Sequence, residues 1–142
     1  MIRAALGLCL VLLLSSVAAA GEAPSPADVQ RAEYRVRTAV QAWAYEQWWT
    51  LWDMGNATSQ SQIPREEFAS RMAKGYHRAA PGRQIEALQV SLTSPTYGTA
   101  NVRLGIRSAF SPSEKVVHRI FGLQMEDGDW KITLHDFLSL TR

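Results

Sequence analysis

The stretch Met125-Glu126-Asp127-Gly128-Asp129-Trp130-Lys131-Ile132 decides how the C-terminal half of this chain is read. Asp-Gly between alternating apolar residues is the strongest short-range signal for a two-residue hairpin of type I′, whose central residues both take positive φ. With Asp127 and Gly128 as the loop, Met125 faces Trp130, Leu123 faces Ile132, Phe121 faces Leu134 and Arg119 faces Asp136. Working outward, the period of the apolar residues is two from Gln84 onward. It predicts four strands: Gln84 to Thr93, Thr99 to Phe110, Lys115 to Glu126, and Asp129 to Leu138. A four-residue loop over Ser111 to Glu114 sets Ala100, Val102, Leu104 and Ile106 beside Met125, Leu123, Phe121 and Arg119. A five-residue loop holding Pro95 and Gly98 adds Leu88, Val90 and Leu92 to the same face. The registers agree on one continuous apolar face, because a slip of one residue would turn every side chain over. The other face carries Asn101, Arg103, Gly105, Arg107, His118, Ile120, Gln124, Lys131, Thr133 and His135, and meets water or a second subunit.

Ahead of the sheet the period is 3.6. Ser25-Pro26-Ala27-Asp28 is a helix start: Ser25 caps, Pro26 has a preset φ, and Asp28 faces the positive end of the dipole. Val29, Val36, Val40, Trp43, Leu51 and Met54 form one stripe. Tyr45, Trp48, Trp49 and Trp52, in the run Trp43-Ala44-Tyr45-Glu46-Gln47-Trp48-Trp49-Thr50-Leu51-Trp52, lie off that stripe. A straight helix would hold these rings in water, so the chain is expected to bend between Ala44 and Gln47 and turn them inward. Gly55-Asn56 reads as a C-cap and a polar loop runs to Gln62. A second helix opens at Pro64 with Glu66 and Glu67 in its first turn, and Phe68, Met72 and Tyr76 make its apolar face.

The N-terminus has the form of an export leader: Arg3, an apolar run from Ala4 to Val17, and Ala18-Ala19-Ala20 before Gly21. Residues 1–20 are therefore expected to be a signal peptide, 21–27 a short linker and 28–142 a single domain in the periplasm or outside the cell, with no stable membrane anchor after cleavage. Cys9 lies within the apolar run and is the sole cysteine, so the exported domain has no disulfide and stands on its core. Losing Arg3 lowers the net charge from +2 to +1, which gives no general attraction to nucleic acid. The basic run Arg71, Lys74, His77, Arg78 and Arg83 complements the negative end of a helix and has no aromatic platform.

Ala42-Trp43, a bend, a short helix opening at Ile63-Pro64-Arg65-Glu66-Glu67-Phe68, and a sheet closing on Glu126 to Ile132 follow in order. From about Asp28 to Leu138 this resembles the nuclear-transport-factor-2-like superfamily, and in particular its small secreted bacterial members. The resemblance implies an α+β, cystatin-like cone: N-terminal helices packed in the concavity of a curved four-stranded antiparallel sheet, with a pocket between. Members of that superfamily include ketosteroid isomerases, polyketide cyclases, dehydratases, small-ligand binders, and assembly domains that dimerise through the outer sheet face. The isomerases' helical tyrosine falls near Val40, which is apolar here, and no acid stands where their base would lie.

Pocket candidates are Trp43, Trp48, Trp52, Phe121, Arg119 and Asp136. Arg119 held by Asp136 reads either as an anion anchor at the pocket mouth or as a cross-strand ion pair at the sheet end. The aromatic group, with Tyr45, Trp49 and Trp130, reads as core, pocket wall or partner surface. His118 and His135 lack a third ligand, so neither metal nor cofactor is expected. The leading expectation is a non-catalytic domain that binds a small ligand or a partner protein. The alternatives are a lyase or isomerase using acid–base chemistry in the pocket, and a structural module forming a homodimer through the outer sheet face. The leader makes one checkable claim. The protein recovered from cells is expected to be soluble and to begin at or near Gly21 by intact mass; a full-length chain in the membrane fraction would contradict it.

Overall fold

A computed structural model describes residues 21–76, 80–107 and 113–141 of the chain. Readings that involve the leader, the side chains of Tyr76, His77, Arg78 and Arg83, or residues 108–112 lie outside the described residues. The architecture is α+β. Helices α1 (Pro26–Ala44), α2 (Trp48–Asp53), α3 (Ala57–Gln62) and α4 (Arg65–Tyr76) precede an open antiparallel sheet. Its strands β1 (Ala80–Ser94), β2 (Tyr97–Arg107), β3 (Glu114–Glu126) and β4 (Asp129–Ile132) pair in sequence order. A short helix α5 (Leu134–Leu138) and a 3₁₀ turn (Ser139–Thr141) end it.

Helix α1 starts as its cap predicts. The Ser25 hydroxyl accepts the Asp28 N–H, and the Asp28 carboxylate accepts the Ser25 N–H, a reciprocal capping box. Ser25 and Arg31 hold the Asp28 carboxyl down at about 2. The bend is a Schellman turn. The N–H of Gln47 bonds the Ala42 carbonyl at 2.8 Å, the N–H of Glu46 bonds the Trp43 carbonyl at 3.2 Å, and Glu46 takes a left-handed φ of 56°. Two helices therefore replace one. Trp48 turns into the core at 8% exposure and Trp52 is partly buried, whereas Trp49 and Tyr45 stay out at 50% and 69%. The bend brings in part of the aromatic group and leaves the rest in water.

The hairpin has the expected loop: Asp127 and Gly128 take φ of 51° and 78°, and Met125 pairs with Trp130, Leu123 with Ile132. Beyond Ile132 the expectation fails, since β4 is four residues long and the chain turns into α5. Two registers also shift. Ala100 pairs with Phe121 and Val102 with Arg119, because Arg107 and Glu114 close a longer connection than four residues. Leu88 pairs with Val102 and Val90 with Ala100 around a tighter turn at Pro95-Thr96. Each slip is by an even number, so the faces survive. Ala100, Val102, Leu104, Phe121, Leu123, Trp130 and Ile132 are buried against Val36, Val40 and Trp43 of α1 and Phe68 and Met72 of α4. Arg35 ties α1 to the hairpin through Asp129.

Residues 57–62 are helical rather than a loop, and Gly55-Asn56 is not a C-cap. Asn56 starts α3 instead, its side-chain oxygen accepting the Ser59 N–H at 2.8 Å. It is buried and engaged, which argues against a glycan on the triplet Asn56-Ala57-Thr58.

The left-handed Glu46 sets up a test. An L side chain in this region costs about 1–2 kcal/mol, part of which glycine gives back through unfolded-state entropy. Glu46→Gly is expected to raise stability by roughly 0.5–1 kcal/mol in a denaturant melt; a drop would mean that the turn is not what breaks the helix.

Candidate functional site

Of the six pocket candidates, Trp43, Trp48 and Phe121 belong to one buried core cluster and Trp52 packs against it, whereas Arg119 and Asp136 lie apart from each other. Trp43 and Phe121 are fully buried, and the Phe121 ring lies 4.6 Å from that of Phe137, centroid to centroid. Phe137 belongs to α5, which folds back over the inner face of β3 with Leu134, Phe137 and Leu138 all buried. The Phe121 ring is thus packed against the C-terminal helix. The indole N–H groups of Trp43 and Trp130 are buried and have no acceptor among the described residues.

Arg119 and Asp136 are not a pair. Arg119 sits in β3, partly buried, with its Nη1 donating to the His118 carbonyl at 2.8 Å and its Nε without a partner among the described residues. Asp136 lies on α5, and its Oδ2 accepts the Gly122 N–H at 2.9 Å. The cause is the end of β4. The N–H of Thr133 still bonds the Gly122 carbonyl at 3.0 Å, as a continuing ladder requires. The Thr133 carbonyl, which would return the bond, instead accepts the N–H of Asp136. The Asp136 carboxylate takes its place, so the strand's donor is not orphaned. Half-burial pushes the Asp136 carboxyl above its ordinary value, against the pull of the Gly122 N–H and the neighbouring His135. His135 is exposed on α5 rather than on the outer sheet face beside His118. Among the described residues no three His, Cys, Asp or Glu side chains group as metal ligands.

The feature that sequence reasoning missed stands at α2 and the start of α4. The Arg65 guanidinium lies 4.5 Å from the Trp49 ring centroid and 5.8 Å from that of Trp52. Its Nη2 donates to Asp53 Oδ2 at 2.7 Å. Trp52 is fixed from behind: its Nε1 donates to the Ile63 carbonyl at 3.0 Å, and its own carbonyl accepts Gln60 Nε2 at 3.0 Å. The spacing explains the grouping. Trp49 and Asp53 are four apart on one face of α2, with Trp52 flanking them. An arginine in the first turn of a helix opposes the dipole, which costs a few tenths of a kcal/mol to about 1 kcal/mol. Two π faces and a carboxylate offset that. The signal available in the sequence was Arg65 itself, a cation where the helix prefers an acid. The result is a rigid, half-exposed surface of two indoles and a preoriented guanidinium, suited to recognition.

The chain matches no protein-family model and no characterised protein.

Asp136 gives a test of the strand-end assignment. Because its folded pKa is raised, the charged form is disfavoured on folding. Its contribution is therefore best at pH below the usual aspartate value of 3.8 and is lost as pH rises through the raised value. Asp136→Asn keeps an acceptor for Gly122 without the charge. Relative to wild type it is expected to gain stability between pH 3.8 and 7. Asp136→Leu, which orphans the Gly122 donor, is expected to lose roughly 1–3 kcal/mol. Melts of the three proteins at both pH values decide it; a pH-independent difference between wild type and Asn would place Asp136 in water.

Proposed function

We propose that the domain is a non-catalytic binding module, exported from the cell, that grips a partner protein at the surface built by Trp49, Trp52 and Arg65, with Tyr45 just ahead of it. The carrying observation is that Trp49 is 50% exposed while the arginine stacked on it is locked by Asp53. Trp, Tyr and Arg carry most of the energy at protein interfaces, and rigid anchors lose little entropy on binding. Arg65 brings a guanidinium whose Nη2 is held by Asp53 and whose Nε is buried, so it offers a partner a fixed cation rather than an open fork, and Trp49 supplies apolar area beside it. The packing of Phe121 against Phe137 supports this reading over a ligand held at Phe121. Asp136, half-buried on α5, is occupied in closing the sheet, which speaks against a role as base in an isomerase-like reaction.

A second reading, a small ligand taken into the interior, is favoured by one observation: the buried, acceptor-free indole N–H groups of Trp43 and Trp130. The two readings separate experimentally. A photo-crosslinking phenylalanine analogue at position 45, which leaves Trp49 and Arg65 intact, is expected to give one discrete adduct in the full chain made in its own cells. Arg65→Lys keeps the charge but not the planar guanidinium over Trp49, and is expected to weaken that adduct at least about fivefold with an unchanged melt. No adduct at position 45, or one indifferent to Arg65→Lys, would overturn the proposal.

A further inference from the structure

We propose that β1 is a dimerisation edge: β1 of one copy pairs antiparallel with β1 of a second copy, joining two four-stranded sheets into one. This does not depend on the aromatic surface, which lies on the helical side of the molecule.

The two edges of the sheet are treated differently. The β4 edge is covered by the chain itself, since Ile132 donates its N–H to the Met54 carbonyl at 2.9 Å and accepts the N–H of Asn56 at 3.0 Å. At the other end of the strand order, no strand among the described residues pairs with the free side of β1. Monomeric proteins blunt such an edge with shortness, lysine, proline or bulges. Here the strand is 15 residues long and its irregularities lie toward the ends, before Ala87 and after Leu92. Between them Ala87, Leu88, Gln89, Val90, Ser91 and Leu92 keep unbroken register with Arg103 to Gly98 and include neither charge nor proline.

The burial pattern points to the same edge. On β2 the inward residues Ala100, Val102 and Leu104 are fully buried. Their β1 neighbours Leu88, Val90 and Leu92 share that face but are only partly buried. The apolar face therefore runs out to the edge and stops unfinished.

The segment is also complementary to itself. A two-fold axis through Val90 sets Leu88 opposite the partner's Leu92, Gln89 opposite the partner's Ser91 and Ala87 opposite the partner's Thr93. Apolar residues then meet on the inner face and polar ones on the outer, with no like charges opposed. Glu86 is already engaged with Arg103 at 3.3 Å on its own sheet and falls opposite the partner's Ser94. Such an isologous contact closes at two copies.

The test uses Gln89 and Ser91, both exposed on the outer face, where substitution spares the core. Sedimentation of the isolated full protein over a concentration series is expected to show a reversible monomer–dimer equilibrium. Gln89→Lys with Ser91→Lys opposes lysines at two symmetric positions and is expected to weaken the dimer more than about tenfold without changing the melt. Gln89→Glu with Ser91→Lys opposes unlike charges at the same positions and is expected to restore it. Ile120→Lys, on the exposed outer sheet face, is expected to leave the dimer intact. A monomer at every concentration would overturn the proposal. So would a dimer lost with Ile120→Lys but not with the lysine pair, or failure of the glutamate–lysine variant to recover association.

Discussion

Two backbone hydrogen bonds at Ile132 decide the form of this molecule. One side of Ile132 faces Leu123 in β3; the other bonds Met54 and Asn56. The last strand is thus clamped between the sheet and the end of the helical half. Gly55 permits the approach, because a Cβ there would stand 2.5 Å from the Leu134 side chain. Asn56 then serves three elements together: its N–H goes to Ile132, its carbonyl oxygen caps α3, and its amide nitrogen reaches Thr133 at 3.5 Å. Ser59, one turn on, accepts the Leu134 N–H and so meets an early donor of α5. With both sides of β4 occupied at residue 132, the chain leaves the sheet, and the position of α5 follows from that.

The end of β4 is also where sequence reasoning failed, and the reason is physical. Trp130, Ile132 and Leu134 alternate as a strand should, so period two extends past the true end. The competing pattern was present: Leu134, Phe137 and Leu138 stand at i, i+3 and i+4, and Asp136 interrupts the alternation. What sequence could not supply was the partner segment Met54–Asn56, 76 to 78 residues before Ile132 in the chain, which caps the strand. The proposed Arg119–Asp136 pair fell with the strand that carried it. Elsewhere the sheet was legible at the level of faces and not of partners. Face assignment depends only on parity, which slips of two or four preserve, whereas the opposed residue depends on loop length. Hence Phe121 was rightly placed inside while its neighbour on β2 was wrong.

The helical half shows the converse case. The bend was legible because hydrophobic rings would otherwise have faced water, an argument from energy rather than from a motif. Its location within three residues was legible too, but its mechanism was not. A Schellman turn is advertised by glycine, and here Glu46 occupies the left-handed position. The structure accepts that strain because Trp43 and Trp48, on either side of the turn, are both buried by it. Burying a large ring is worth about 1.5–3 kcal/mol, which exceeds the cost of one left-handed residue.

The same balance explains why Trp49 and Arg65 stand where they do. A six-residue helix offers one inward face, and Trp48 and Leu51 fill it. Trp49 is then forced outward by the geometry that buries Trp48, since adjacent residues on a helix point about 100° apart. An indole left half in water is unfavourable for a monomer unless something covers it. Arg65 covers one ring face with a hydrocarbon stem and a weakly hydrated guanidinium, and Asp53 holds that cover in place. The surface is therefore a by-product of burying Trp48 that has been stiffened rather than hidden. Packing alone would have been met by a small polar residue at position 49, and the arginine–carboxylate brace would then have had nothing to orient against.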